Sequence, residues 1–294
     1  MYPTRLERRS VARKAHLNLK KFGSIVLLYV AVVLIIAFVA FPLVWMTASS
    51  FKPKTEQYVA PPTFFPQTWS LQGYVRLFQE TRFALFFRNS LIVASGTTVL
   101  SMIVASLGGY ALSRFRYPGF AIFARATLLA YMVPSIMLVI PLFVVLVSLG
   151  LADTLQSLII TNTTFTLPFA LWLMRAYFGN IPIDLDESAM IDGCTRFQAL
   201  LKVVMPLAAP GMVATSIFAF TNSWNEFLYA SVLIHSDALR TLPPGMGQLI
   251  QSDNVYDWGM LMASAVLMTI PALIFYMLVQ RNLVVDLSAG AVKQ

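Results

Sequence analysis

The residues best suited to act on something outside the chain fall in two short stretches. In the first, Asp184, Asp186, Glu187 and Asp192 crowd four carboxylates together, directly ahead of Gly193 and Cys194. In the second, Asn222, Trp224, Asn225 and Glu226 set two amides, an indole and an acid inside an otherwise apolar run. Neither stretch has the makings of a catalyst. Nucleophilic and acid–base chemistry need a nucleophile beside a base, yet the chain has one cysteine, Cys194, and two distant histidines, His16 and His235. Those are too few for a metal site or a disulfide. No glycine is followed by lysine, so the G-x-x-x-x-G-K-[ST] phosphate loop is missing. The second stretch suits a sugar, because ring faces stack on C–H surfaces while amides bond hydroxyls. Asn162 is a similar but weaker candidate, equally at home in an interhelical hydrogen bond.

The acidic stretch reads as two short helices around a glycine turn. Pro182 suits a first helical turn, and Asp184, Asp186 and Glu187 then sit near the positive end of that helix. Gly193 after Asp192 supplies the stop, since glycine tolerates the left-handed conformation at a helix end. Thr195 and Gln198 have the spacing of a capping box that starts a second helix, leading through Pro206 into an apolar run. A projecting unit of this kind can transmit force from a soluble partner to a membrane helix.

Membrane spans are the elements that must position both stretches. Of 294 residues only 12% are charged, 58% are hydrophobic, and the mean hydropathy is +0.72. A soluble domain carries about 25% charge, so this composition excludes a soluble, disordered or disulfide-stapled chain. Uncharged runs cover 22–51, 89–113, 126–152, 154–174, 203–225 and 258–280. Each is long enough for a helix to cross roughly 30 Å of hydrocarbon. The fold class is therefore all-α and polytopic, with six transmembrane helices. The first run far exceeds a signal-peptide core and is read as a retained span. Residues 71–87 suit a short amphipathic helix at the surface. The segment Gly150-Leu151-Ala152-Asp153-Thr154 reads as a tight turn between spans three and four.

Six spans put both termini on one side. That side holds fifteen of the 21 bases, seven of them before the first span. Basic loops favour the cytoplasm, so both termini are expected there, in a cytoplasmic or inner membrane. The net charge of +8 is then topology, and no nucleic-acid partner is needed. The organisation is a basic cytoplasmic segment 1–21, a membrane domain 22–280 with a cytoplasmic loop 176–206, and a cytoplasmic tail 281–294.

Against this background, Glu187-Ser188-Ala189, Asp192-Gly193 and the later Pro206 resemble the E-A-A-x-x-D-G signature of ABC importer permeases. Ser188 replaces an alanine and Cys194 stands where alanine is usual. Four more stretches are similar to the maltose-type carbohydrate permeases: Ser49-Ser50-Phe51-Lys52-Pro53, the segment from Gly109 to Gly119, Trp224-Asn225-Glu226-Phe227, and the tail Leu287 to Lys293. The resemblance spans nearly the whole chain and implies a type I importer permease fold. It implies that Glu187, Ala189, Asp192, Gly193 and Pro206 couple to a separate ATPase carrying ATP and Mg. It also implies that Gly290, Ala291, Val292 and Lys293 reach between the ATPase subunits, as in the shorter partner of a permease pair. Asn222, Trp224, Asn225 and Glu226 are expected along the solute path, and the loop from His235 to Asp257 against an external solute-binding protein.

The function expected is therefore the permease subunit of an ATP-driven, binding-protein-dependent carbohydrate or oligosaccharide importer. The chain itself is not an enzyme and holds no cofactor or metal. Its partners are a homologous permease, an ATPase dimer, the binding protein, the solute and membrane lipid. The alternative is a secondary transporter or channel subunit not driven by ATP, which would show paired broken helices in an internal repeat.

Overall fold

The computed structural model describes the backbone of residues 5–251 and 257–290, and the side chains of 23–247 and 257–278. Among these residues every regular element is helical. In chain order they are α1 (Arg5–Ser50), α2 (Gln72–Glu80), α3 (Phe83–Arg114), α4 (Phe120–Tyr131), α5 (Val139–Ser148), α6 (Leu155–Gly179), α7 (Asp184–Ile191), α8 (Arg196–Ala199), α9 (Met205–Leu207), α10 (Ala209–Trp224), α11 (Leu228–Leu233), α12 (Leu242–Gln251) and α13 (Trp258–Gly290). Four helices are long and apolar enough to cross a membrane: Gly23–Ser50 of α1, α3, α6, and Trp258–Leu278 of α13. Two bent helix pairs bring the number to six.

Two of the six runs are bent instead of crossing as one straight helix. The run 126–152 breaks after Tyr131, and α4 meets the helical stretch Ser135–Ser148 at 97°. Pro134 lies at the corner with an extended ψ of 125°. It has no N–H to donate, and its ring pushes the preceding residue out of helical conformation. The run 203–225 breaks at Ala208, where Arg196–Leu207 and α10 meet at 82°. A wide π turn at Leu200–Val204 leads into that corner, and Pro210 occupies the first turn beyond it. Pro42, Pro168 and Pro271 lie inside continuous helices instead.

Helices α3, α6 and α10 form the centre. Small residues bring α3 and α6 together: Ala105 and Ala170 are fully buried, and a Cβ on Gly109 would come within 2.9 Å of the Arg175 nitrogen. Hydroxyls and amides tie the three helices together: Ser101 of α3 to Thr166 of α6 at 3.0 Å, Asn162 of α6 to Ser223 of α10 at 2.9 Å, and Ser223 to Thr97 of α3 at 3.2 Å. Without water to compete, each such group needs a partner inside the protein. On the other side of α10, Phe220 stacks on Phe275 of α13 at 4.5 Å.

Segment 71–87 divides between two elements. Residues 72–80 form α2, which buries Leu77 and lays Gly73 against the Gly259 carbonyl of α13. From Phe83 onward the chain already belongs to α3. The turn at 150–154 forms as expected, with Gly150 and Asp153 at φ of 69° and 54° and Thr154 capping α6 through the Ser157 N–H.

The two ends of the bundle gather the residues the six-span arrangement assigns to opposite sides. Arg114, Asp186 and Arg196 share one end. At the other, Asn89 donates to the carbonyls of Ala238 and Arg240, and Arg76 pairs with Asp257.

Candidate functional site

Helix α7 projects from the end of α6 and is tied down by one buried ion pair. Arg114, on the last turn of α3, donates through Nε to Asp186 Oδ2 at 2.9 Å, and Tyr110 donates to Asp186 Oδ1 at 2.6 Å. A second guanidinium nitrogen, Nη1, reaches the Phe178 carbonyl at 3.0 Å. Both charged side chains are nearly inaccessible, at 4% and 3% exposure. Sequence reasoning missed this pair, 72 positions apart. Arg114 read as a topology marker and Asp186 as a helix-start charge. The available signal was the odd acid of the set: Asp186 alone falls on the inward face with Ala189.

Glu187 is on the outer face of α7, exposed, and Ala189 is buried beneath it. Asp192 caps the helix, and Gly193 turns the chain at φ 88°. The Cys194 N–H then bonds the Ala189 carbonyl at 3.0 Å, and the Gly193 N–H bonds that of Met190 at 3.1 Å. These two bonds are the Schellman pattern, which needs a left-handed residue where Gly193 stands. Thr195 and Gln198 exchange both bonds of the capping box at the start of α8. Ile191 at the tip is 86% exposed, leaving an apolar point on a charged knob. Pro206 is exposed on α9, just ahead of the Ala208 corner. The helix of Pro182 begins later than expected: the proline precedes α7, whose first residue is Asp184. Of the tail, Gly290 ends α13, while Ala291, Val292 and Lys293 lie outside the described residues.

The second stretch divides around α10. Asn222 and Glu226 line a cavity of about 530 Å³ together with Asn162, Phe165, Phe218 and Tyr229. Glu226 is fixed there by two donors, the N–H groups of Tyr229 at 2.6 Å and Ala230 at 2.9 Å. Asn225 lines an adjoining groove with Asn222 and Phe169. Trp224 departs from the expected set: it lines neither space. It is 1% exposed, packs edge-on to Phe87, and donates its indole N–H to the Met268 carbonyl at 3.1 Å. The Phe220–Trp224 spacing of one helical turn, on the face toward α13, is what placed it in the core. Asn162 holds both positions considered for it, bonding Ser223 across the bundle and facing the cavity.

At the opposite end, the segment after α11 is more ordered than a plain connection. Asp153 Oδ1 accepts from the N–H groups of His235 and Ser236 at 2.9 and 3.0 Å, and its other oxygen accepts the Ser236 hydroxyl. The Ser236 hydroxyl and N–H hold the Asp153 carboxyl below its ordinary range. The chain then enters α12 through Leu242, fully buried, with Pro243 and Pro244 in the first turn. Residues 252–256 of the expected binding-protein loop lie outside the described residues.

Comparison with known proteins places this arrangement. The chain is 37% identical over 267 residues to the inner membrane ABC transporter permease protein YcjP of Escherichia coli K12, covering 90% of this chain and 95% of that one. It is 35% identical over 261 residues to the trehalose transport system permease protein SugB of Mycobacterium tuberculosis, covering 88% and 94%. Its fold superposes with a TM-score of 0.72 and 23% identity on a chain of a bacterial ABC transporter that imports the acidic polysaccharide alginate, over 96% of this chain and 99% of that one. The fold is that of a type I ABC importer permease. A family profile matches residues 98–288, from the middle of α3 to the end of α13. By that match and these relatives, the chain belongs to the family of binding-protein-dependent transport system inner membrane components.

Proposed function

We propose that this chain is one permease of an ATP-driven importer for a carbohydrate or oligosaccharide. It works with a homologous second permease, two ATPase subunits carrying ATP and Mg, and an external solute-binding protein. Both termini and the α7–α8 knob face the cytoplasm. The observation that carries the reading is the knob itself: two short capped helices on a left-handed glycine, clamped to α3 by Arg114 and Asp186, with Glu187 and Ile191 outermost. Such a body is too small to bind a solute and rigid enough to be pushed. ATP-driven closure of the ATPase pair moves α7, and the Ala208 corner passes that movement to α10. The solute then crosses beside Asn162, Asn222 and Glu226, between this permease and the second. The tail from Gly290 to Lys293 reaches the ATPase pair, and the segment around α12 meets the binding protein. The relative whose name specifies trehalose supports a sugar as cargo.

The test is Gly193→Pro in the reconstituted transporter. Proline holds φ near −65°, so the turn at 88° cannot form. Membrane insertion is expected to stay normal, while solute uptake falls at least tenfold and ATPase activity no longer responds to the loaded binding protein. Unaltered uptake in proteoliposomes would overturn the role assigned to the knob.

A further inference from the structure

The walls of the cavity carry information about the solute's charge. Among its lining residues there is a single carboxylate, Glu226, and no lysine, arginine or histidine. The adjoining groove has no charged residue at all. Arg125 on α4 and Arg175 on α6 lie outside both linings. Glu226 accepts backbone N–H bonds at both of its oxygens, which favours its ionised form against the opposing effect of its burial. The remaining wall is aromatic and amide: Phe165 stacked on Tyr229 at 5.0 Å, Phe218, Asn162 and Asn222. An anion entering such a space loses hydration, finds no counter-charge and meets a fixed negative charge. An uncharged polyol loses only hydroxyl hydration, which amides replace, and lays its C–H faces on the rings.

We propose that this cavity selects uncharged carbohydrate and rejects uronate, sulfonate and phosphate-bearing sugars, with Glu226 as the excluding charge. The proposal rests on the solute path described above. It separates this chain from its fold neighbour, whose transporter carries an acidic polysaccharide, and from the 37% identical relative named for sulfoquinovosyl glycerol, and sets it beside the trehalose relative.

One native cysteine makes a direct measurement simple. In a Cys194→Ser background, Asn222→Cys is placed in the complete reconstituted transporter. It is treated with a cationic (trimethylammonium) or an anionic (sulfonate) methanethiosulfonate, each rate being divided by that with a free thiol in solution. The expected result is at least a tenfold preference for the cation, collapsing toward one in Glu226→Gln. Equal rates, or faster reaction with the anion, overturn the proposal while leaving the path intact. No reaction with either reagent, at Asn222→Cys and also at Thr164→Cys on the same cavity, overturns the path and the proposal with it. Transport by the complete system of a uronic-acid trisaccharide at the rate of a neutral one would also overturn it.

Discussion

Among the described ion pairs, Arg114–Asp186 is the most deeply buried. Both ions are desolvated, and each is the other's main compensation. Removing one partner of such a pair typically costs about 3–5 kcal/mol, because the survivor is left buried and uncompensated. Asp186→Ala is therefore expected to lower the thermal unfolding midpoint and to abolish co-purification with the ATPase. Glu187→Ala, on the exposed face, should leave stability within about 0.5 kcal/mol of the parent and the midpoint nearly unmoved. Equal midpoints for the two would contradict the assignment. Replacing both ions, as Arg114→Met with Asp186→Leu, should recover stability lost in the single variant. Asp153 presents the opposite case, an acid whose work is visible in pH. Its folded value is held down, so its contribution is full above the ordinary carboxylate value of about 3.9 and fades as pH falls through the lower, folded value. Protection of the His235 and Ser236 amides, taken relative to their intrinsic exchange rates, should be lost as pH falls below about 3.9. In Asp153→Asn the exchange should already be fast at pH 7.

Elements meet where side chains are absent. At Gly109 a Cβ would collide with the Arg175 nitrogen and with Met174, and backbone cannot step aside as a side-chain tip can. Gly109→Val must push α3 from α6, a loss of about 1–3 kcal/mol of the kind overpacking brings. Gly179→Ala, with open space around the added carbon, should be neutral in the same thermal assay. Local devices of this chain were legible before any coordinates. The Thr195–Gln198 box, the Gly193 turn and the Thr154 start of α6 each depend on residues within a few positions of one another. Direction was not legible. An uncharged run reports depth in the membrane, and both broken runs satisfy that test whether straight or folded at Pro134 and Ala208. Prolines did not decide it either, since Pro168 and Pro271 sit in continuous helices. Trp224 looked like a path residue because amides flank it, while its partners Phe87 and Met268 are far away in sequence.

At the scale of the molecule, charge segregates by end and apolar surface faces outward. Helix α1 touches the rest chiefly through α13, and its span is uncovered over most of its length, down to the buried Ala48 and Ser50. That suits a surface meeting lipid tails or another membrane helix. Orientation is open to a direct check. With α7 and its Cys194 in the cytoplasm, an impermeant maleimide should label the chain in inside-out vesicles and leave it unlabelled in intact cells. In a Cys194→Ser background, Lys54→Cys, exposed at the other end, should reverse that pattern. Labelling of both positions from one side would refute the six-span arrangement.

The corner at Ala208 gives α10 the geometry of a crank. Its sixteen residues form an arm of about 24 Å. Pivoting that arm by about 5° carries its far end about 2 Å, enough to open or shut a constriction against a second subunit. The gain is set by arm length alone, so the knob need not travel far for Glu226 to travel usefully. In the importer proposed above, lengthening or shortening α10 by a turn would change the stroke while leaving the α7–α8 knob as it is.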